Sequence, residues 1–319
     1  MGIGEDISES AYMRVGFIGE CMAELKELDG QLSEGFAGDT YNSAVYLKRT
    51  FNQHETFYIS AVGSDPLSDQ MVAGVEEENI STRFLKRDTE KHIGLYRIYT
   101  DDEGERSFIY WRSDSAAKRM MSMFDATDIA SMTALDMGLF SGIALAILNE
   151  DDLAQYWMLL SKLKASGTKL VFDMNHRPSL WRDNEAAKAL YAKAFELADV
   201  VLPGLEDFNF LYGFETIDEV ISYLEQFTFD EIIIKNGSDP VTVIAEGNRM
   251  TIPLTPATKV VDTTSAGDAF NGVYLGARLA GVEIEDAVQK ASKCAAFVIQ
   301  HRGAIVEAGT YQDFVQNLA

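Results

Sequence analysis

The 319-residue sequence predicts an α/β fold in which a central, mostly parallel sheet is flanked by helices and carries a second, smaller β-sheet. Two observations predict this class. Short β-branched or aromatic runs alternate with amphipathic segments along most of the chain, which is typical of parallel strands joined by crossover helices. Two other segments break this alternation with strand-like patterns of period two, which indicates a small sheet added to the main domain.

The strands predicted for the large sheet are short runs rich in Val, Ile, Leu and Phe. They lie at residues 15–18, 57–62, 135–140, 170–172, 200–202 and 231–234. The predicted helices have apolar residues three and four positions apart, with clear examples at 41–51, 152–166, 185–197 and 217–227. We therefore expect one α/β domain over residues 14–319. Residues 1–12 are expected to form an unstructured leader, because the periodic pattern begins only at Arg14.

The added sheet is predicted from residues 21–36 and 82–114. Side chains at 95–99 alternate between two faces, and the polar residues 100–105 are typical of a hairpin connection. Such a sheet can close over a site as a lid, form an oligomer contact or be a plain structural hairpin. The sequence leaves these three interpretations open.

Composition restricts the partners and the compartment. The chain has 27 Lys plus Arg against 50 Asp plus Glu, a formal charge of −23, so nucleic acid and anionic membranes are not expected as partners. The most apolar stretch, residues 137–148, is too short to span a bilayer, which needs about 20 residues. Cys21 and Cys294 are isolated and predict free buried thiols. The acidic N-terminus lacks the features of a secretory signal, so we expect a cytoplasmic protein.

The strongest local motif is DTTSAGDAFNG at residues 262–272, directly before a periodic helix. The small residues Ser265, Ala266 and Gly267 leave backbone N–H groups uncovered at the helix start, which predicts an anion site. Asp268 falls in the first turn, where a carboxylate can accept a proton from a hydroxyl that attacks the anion. The alternative is a structural helix cap, because Ser followed three residues later by Asp is a common capping pattern.

A second junction of glycine and polar residues lies at 35–49. Gly38 permits either a close backbone approach or a positive φ. Asp39, Thr40 and Asn42 crowd short donors and acceptors at a helix start, as binding of a polyol requires. A helix cap is again the alternative, and it explains Asp39 or Thr40 but not Asn42.

Basic residues follow three of the predicted strands. Tyr110 and Arg112 fall on one face of the second lid-like segment, and Arg177 follows the strand at 170–172. Two arginines facing one cavity indicate an anionic ligand, a carboxylate or a phosphate, although each alone is more often a surface residue. Lys235 and a tight turn follow the strand at 231–234, at the sheet edge where α/β proteins bind ligands.

Missing motifs narrow the chemistry. The sequence has no GxxxxGK[ST], no GxGxxG after the first strand, no HExxH and no GxSxG. The four histidines lack metal-ligand spacing. His176, beside Arg177, either orients a substrate or is a surface or supporting residue, and the second interpretation is favoured.

Taken together, GDTYNSA at 38–44, YWR at 110–112 and DTTSAGDAF at 262–270 resemble the ribokinase, or PfkB, family of carbohydrate kinases. The resemblance covers residues 14–305 and implies a ribokinase-like fold. The segments at 19–25, 37–47, 104–112, 141–148 and 177–181 are most similar to members that phosphorylate the 6-hydroxyl of 2-keto-3-deoxygluconate. The resemblance also implies ATP and Mg²⁺ as cofactors, and it allows for a bound monovalent cation and for a homo-oligomer.

The resemblance implies roles for individual residues. Asp268 matches the catalytic base, with an anion hole from the backbone of Ser265, Ala266 and Gly267. The residues that match sugar contacts are Gly38, Asp39, Asn42, Tyr96, Tyr110, Arg112 and Arg177. Those that match nucleotide contacts are Asn175, Lys235, Gly237, Ser238 and Thr263, with 265–267. Glu206 remains from an N-x-x-E element that helps to place Mg²⁺ through water, but Pro203 replaces its Asn.

Two alternatives stay open within this family. The acceptor can be fructose, ribose, a nucleoside or another keto-deoxy acid, and Arg112 is the discriminating residue because a neutral sugar has no carboxylate to pair with it. A non-catalytic sugar-binding regulator would be expected to lack the base or the anion-hole glycine, whereas both Asp268 and Gly267 are present.

Overall fold

The structure is a computed structural model that describes residues 12–28, 30–100 and 106–318. In these residues a large sheet of nine strands forms the centre of the fold. Its strands in spatial order are β13 (Asn248–Ile252), β12 (Val241–Ala245), β11 (Glu231–Ile234), β10 (Val200–Val201), β9 (Lys169–Asp173), β8 (Met137–Ser141), β1 (Arg14–Ile18), β4 (Glu55–Val62) and β5 (Leu85–Arg87). In this spatial order, all strands from β11 across to β5 run parallel to one another. Strands β12 and β13 add an antiparallel hairpin at one edge.

Helices connect the parallel strands and cover both faces of the sheet. They are α1 (Asp39–Thr50), α2 (Pro66–Glu77), α3 (Ala126–Met132), α4 (Gly142–Ile147), α5 (Glu150–Ala165), α6 (Asn184–Leu197), α7 (Leu205–Tyr212), α8 (Ile217–Leu224), α9 (Ala266–Leu279), α10 (Ile284–Val298) and α11 (Ala308–Val315). Val15 and Phe17 of β1 pack into one hydrophobic core, and Ile18 packs into a second core on the opposite face. Both faces are therefore buried, as parallel sheets require.

The second sheet, here called the lid, contains β3 (Gln31–Ala37), β2 (Met22–Leu28), β6 (Gly94–Thr100) and β7 (Arg106–Trp111), in that order. Strands β2 and β6 are parallel, and the two outer pairs are antiparallel. The predicted small sheet is confirmed. Its second segment, predicted as 82–114, begins too early, because residues 85–87 pair with β4 in the large sheet. The predicted turn at 101–105 lies outside the described residues.

Other expectations for the chain can be compared with the structure. Residues 1–11 of the predicted leader lie outside the described residues, and the hydroxyl of Tyr12 donates to the Glu55 carboxylate at 2.8 Å. Cys21 and Cys294 are free and buried, as predicted. Across the described part of the chain, no helix is both long and apolar enough to cross a membrane.

Close packing of α1 against α9 fixes the region where the two glycine-containing motifs meet. Gly272 on α9 lies against the backbone carbonyl of Ser43 on α1, and a Cβ at position 272 would overlap that oxygen. One turn further along, Gly276 lies against the ring of Phe51 in the same way. These two glycines let the helices approach at backbone distance, so that their N-terminal turns lie side by side.

Candidate active site

The two motifs predicted from sequence join through a hydrogen bond. Asp268 lies in the first turn of α9, and Asn42 lies near the start of α1. The amide Nδ2 of Asn42 donates to Asp268 Oδ2 at 2.8 Å, and Asn42 Oδ1 accepts the backbone N–H of Gly38 at 3.3 Å. One amide therefore links the carboxylate of the 262–268 turn to the polar start of α1.

Simple helix capping does not explain either motif. Ser265 is the N-cap residue of α9, but its side chain makes no capping hydrogen bond, and its Oγ is buried without a partner among the described residues. Asp268 points to Asn42 instead. At α1 the N-cap is Gly38, and the carboxylate of Asp39 accepts Asn175 Nδ2 at 3.0 Å. The capping alternatives are therefore wrong, because the Asp268 and Asp39 carboxylates bond to side chains of other elements.

Backbone geometry shapes the 262–268 turn for an anion. Ser265 adopts a left-handed conformation with φ 65°, and the first amides of α9 have no carbonyl partner one turn earlier in the helix. One of the predicted donors is partly used, since Ala266 N–H lies 3.3 Å from the carbonyl of Thr263. The remaining first-turn amides are the groups available to an anion.

The electrostatic surroundings of Asp268 suit a proton acceptor. The pKa of Asp268 is raised to about 7, mainly by burial and also by the negative charges of Asp39 and Asp173, while the Asn42 hydrogen bond and Arg177 act in the opposite direction. A carboxyl group whose pKa lies near neutrality can take up and release a proton under physiological conditions.

Asp173, at the end of β9, is a buried carboxyl group whose charge acts on Asp268. Its pKa is raised to about 6, mainly by burial. The charges of Asp207 and Asp39 also raise this pKa, whereas Lys235 and Arg177 lower it. Among the described residues no group of three or more His, Cys, Asp or Glu side chains can hold a metal ion by itself. The excess of carboxylates nevertheless fits a cation that is held mainly by a bound ligand and water.

Lys235 lies beside the 262–268 turn. Its Nζ is 3.6 Å from Asp173 Oδ1, and a Cβ built on Gly267 would lie 3.8 Å from it. The turn that follows is tight, as predicted: Gly237 has φ 55°, and Ser238 is exposed. Glu206 is exposed in the first turn of α7, and the backbone before it pairs with Lys235, whose N–H donates to the carbonyl of Pro203 at 2.9 Å.

At the lid, Arg112 follows β7 and forms an ion pair with Glu20, which is only 2% exposed. The hydroxyl of Ser115 donates to the same carboxylate, and Arg112 Nε is buried without a partner among the described residues. The carbonyl of Glu20 occupies the space that a Cβ on Gly38 would need. Since φ of Gly38 is −179°, close approach explains this glycine, and positive φ does not.

The other residues predicted from sequence for this region differ in burial and in their hydrogen-bond partners. Tyr96 is buried and its hydroxyl donates to Glu24, while Tyr110, opposite it on β7, is 50% exposed. The guanidinium of Arg177 is exposed, donates to the carbonyl of His176 at 3.1 Å and lowers the pKa of Asp268. His176 is buried, with Nδ1 3.0 Å from the Tyr191 hydroxyl, so of the two expected positions the surface is excluded and a supporting position remains.

Comparison with known proteins shows the family of the chain. The profile of the pfkB family carbohydrate kinases matches residues 7–309, and the chain belongs to this family. Over about 300 residues it is 38% identical to 2-dehydro-3-deoxygluconokinase of Dickeya dadantii, covering 92% of this chain and 96% of the relative. The chain is 36% identical to the Escherichia coli K12 enzyme of the same name, covering 92% of this chain and 97% of the relative. A fructokinase of Vibrio alginolyticus is 26% identical, covering 95% of this chain and 98% of the fructokinase.

Solved structures show the same fold. A PfkB protein from Polaromonas sp. JS666 superposes with a TM-score of 0.82 at 22% identity, over 97% of this chain and 100% of the other. For 2-dehydro-3-deoxygluconokinase of Thermotoga maritima the TM-score is 0.78 at 19% identity, over 96% and 100%. A ribokinase II of Escherichia coli in complex with ATP and Mg²⁺ has a TM-score of 0.81 at 20% identity, over 96% and 100%. The predicted ribokinase-like fold is thereby confirmed.

Proposed function

We propose that the chain is an ATP-dependent kinase of 2-keto-3-deoxygluconate (2-dehydro-3-deoxygluconate) and forms 2-keto-3-deoxy-6-phosphogluconate. The observation that carries the proposal is the hydrogen bond from Asn42 to Asp268, which joins a polyol-binding helix start to a carboxyl group at an anion-binding turn. The relatives at 36–38% identity bear the name of this activity, and the fructokinases are more distant. The ion pair between Arg112 and the buried carboxylate of Glu20 fixes a guanidinium group on the side where the sugar acid would bind.

In the proposed reaction, the 6-hydroxyl oxygen attacks the γ-phosphorus of ATP and the bond to the leaving ADP oxygen breaks. Asp268 accepts the hydroxyl proton, and Asn42 holds the carboxylate toward the acceptor. The first amides of α9 and Lys235 face the phosphoryl oxygens that carry negative charge during transfer. Reactions of this kind are accelerated mainly by positioning and electrostatic stabilisation.

Nucleotide and metal are assigned to the other side of the 262–268 turn. ATP would contact Lys235, Gly237, Ser238, Asn175, Thr263 and residues 265–267. Mg²⁺ would lie among the phosphates, with Asp173 and Glu206 reaching it through water, and when bound it would neutralise phosphate charge. The buried carboxyl of Asp173, crowded by Asp207 and Asp39, fits a neighbouring cation.

On the acceptor side, we assign Gly38, Asp39 and Asn42 to the sugar hydroxyls. Arg112 and Arg177 are assigned to the carboxylate of the sugar acid. Tyr110 and the aromatic ring of Tyr96 would cover the sugar from the lid. We also keep the cytoplasm as the compartment, on the ground of the two free buried thiols, and a homo-oligomer as the assembly.

The acceptor is tested by coupled measurement of ADP release with a panel of sugars. We expect kcat/KM for 2-keto-3-deoxygluconate to exceed that for fructose, ribose and a nucleoside by about 100-fold or more, because a site built to pair a carboxylate leaves its charges unmatched with a neutral sugar. Equal or faster turnover of fructose or ribose would contradict the assignment. Turnover of no acceptor would contradict kinase activity itself.

The raised pKa of Asp268 predicts a pH dependence. Because the base must be ionised to accept a proton, kcat/KM for the acceptor should increase with pH below about 7 and level off above it. The Asn42 hydrogen bond lowers this pKa, so Asn42→Ala should move the rising limb to higher pH. A profile that is flat from pH 5 to 9, or a limb that moves to lower pH in Asn42→Ala, would refute Asp268 as the base.

A further inference from the structure

Three polar side chains from different elements form a hydrogen-bonded chain that ends at the 262–268 turn. They are Asp173 at the end of β9, Asn271 on α9 and Lys235 just after β11. Asn271 is completely buried and both ends of its amide are used. Its Nδ2 donates to Asp173 Oδ2 at 2.9 Å, and its Oδ1 accepts from Lys235 Nζ at 3.0 Å.

This arrangement leaves Asn271 a single orientation. An amide placed between a carboxylate and an ammonium group must direct its donor to the first and its acceptor to the second. Asp173 also attracts Lys235 directly, with 3.6 Å between Oδ1 and Nζ. A lysine side chain normally samples many rotamers, and two partners on different elements confine this one.

The ammonium group is confined at a position that matters chemically. A Cβ built on Gly267 would lie 3.8 Å from Lys235 Nζ, so the charge lies directly beside the first turn of α9. The glycine leaves that side of the turn open. A fixed positive charge at a helix N-terminus adds to the attraction that the uncovered amides exert on an anion.

We propose that Asn271, supported by Asp173, is a positioning residue that holds the Lys235 ammonium group at the 262–268 turn, where it meets the phosphate oxygens of the nucleotide. Asn271 touches neither substrate and acts through Lys235. The inference rests on the proposed function, since it assumes that phosphate occupies this turn.

A double-mutant cycle tests this role. The variants are Asn271→Leu, which has similar volume and no polar atoms, Lys235→Met and the double variant. The dissociation constant of β,γ-methylene ATP is measured by calorimetry, and KM is measured for ATP and for the sugar acid. We expect each single variant to bind the analogue about tenfold more weakly, and the double variant to differ from Lys235→Met by less than about twofold. KM for the sugar acid should not change.

A matched control separates positioning from stability. Tyr274→Phe removes another buried hydrogen bond of α9, from the Tyr274 hydroxyl to Glu231 Oε2 at 2.6 Å, and in the described part of the chain the Tyr274 hydroxyl forms no hydrogen bond with Lys235. It should lower the midpoint of thermal unfolding and leave affinity for the analogue within about twofold of wild type. If Asn271→Leu fails to fold, Asn271→Ala replaces it in the cycle, and the same coupling is expected.

The inference is overturned if Asn271→Leu weakens binding of the analogue by the same factor in the wild-type and the Lys235→Met backgrounds. It is also overturned if Asn271→Leu has no effect on affinity for the analogue. Failure of the proposed function looks different. In that case the wild-type chain does not phosphorylate the sugar acid, while binding of the analogue still reports whether Asn271 acts through Lys235.

Discussion

Replacing Asp268 with Asn should lower kcat by about 100- to 10,000-fold, the range that a well-placed general base contributes. Asn has nearly the same shape as Asp, and its amide oxygen can still accept the hydrogen bond from Asn42 Nδ2, which is 2.8 Å long in the native site. The substitution therefore removes the proton acceptor and leaves the α1–α9 contact in place. Coupled ADP release with 2-keto-3-deoxygluconate measures the loss.

A control for this variant lies on another helix. Asp218 also occupies a first helical turn, but it is exposed on α8 and pairs with Arg249 at 2.6 Å, so Asp218→Asn should keep wild-type kcat. Affinity of Asp268→Asn for β,γ-methylene ATP should remain within about threefold of wild type, because the charge lost is on the acceptor side. Unchanged kcat in Asp268→Asn would contradict the mechanism.

Gly272→Ala should destabilise the fold and reduce activity together. The added Cβ would overlap the backbone carbonyl of Ser43, which cannot move without shifting α1. Overpacking of a close contact costs about 1–3 kcal/mol, so the free energy of unfolding should fall by about that amount. Because α1 carries Asn42, separating the helices also lengthens the hydrogen bond to Asp268. Urea unfolding and kcat measure the two effects.

A second helical glycine is the matched control. Gly74 lies inside α2, and a Cβ there would meet only Phe36 Cδ2 at 3.8 Å, an ordinary contact. Gly74→Ala should therefore leave activity unchanged and raise stability by about 0.4–1 kcal/mol, through reduced freedom of the unfolded chain. Equal behaviour of Gly74→Ala and Gly272→Ala would show that α1 and α9 do not depend on backbone-distance packing.

The parallel strands were predictable from sequence because both of their faces are buried. Residues 232–234 are continuously apolar and follow polar residues, and β11 (Glu231–Ile234) forms there as predicted. Strand β5 lies inside the strand-like segment 82–114 but was assigned to the wrong sheet, because Leu85–Arg87 pair with β4 of the large sheet. The edge hairpin of β12 and β13 was missed. Strand β13 is mostly exposed, and its alternation is weak.

The candidate site was predictable where one segment carries the whole signal, as in the 262–268 turn. Glu20 and Asn271 were not predicted, because their roles depend on partners far along the chain. Glu20 meets Arg112, 92 positions away, and Asn271 meets Asp173, 98 positions away. Only the fold brings such pairs together. Asp173 alone had a local signal, as an acidic residue at the end of a buried strand.

The central claim is that Asp268 faces the acceptor hydroxyl while the acceptor's carboxylate pairs with Arg112. A crystal structure of the enzyme with 2-keto-3-deoxygluconate and β,γ-methylene ATP tests both at once. We predict the 6-hydroxyl oxygen at about 2.6–3.2 Å from an Asp268 carboxylate oxygen, with the sugar carboxylate on the Arg112 guanidinium. A sugar acid bound with its carboxylate toward Asp268, or with its 6-hydroxyl beyond the reach of Asp268, would contradict the account.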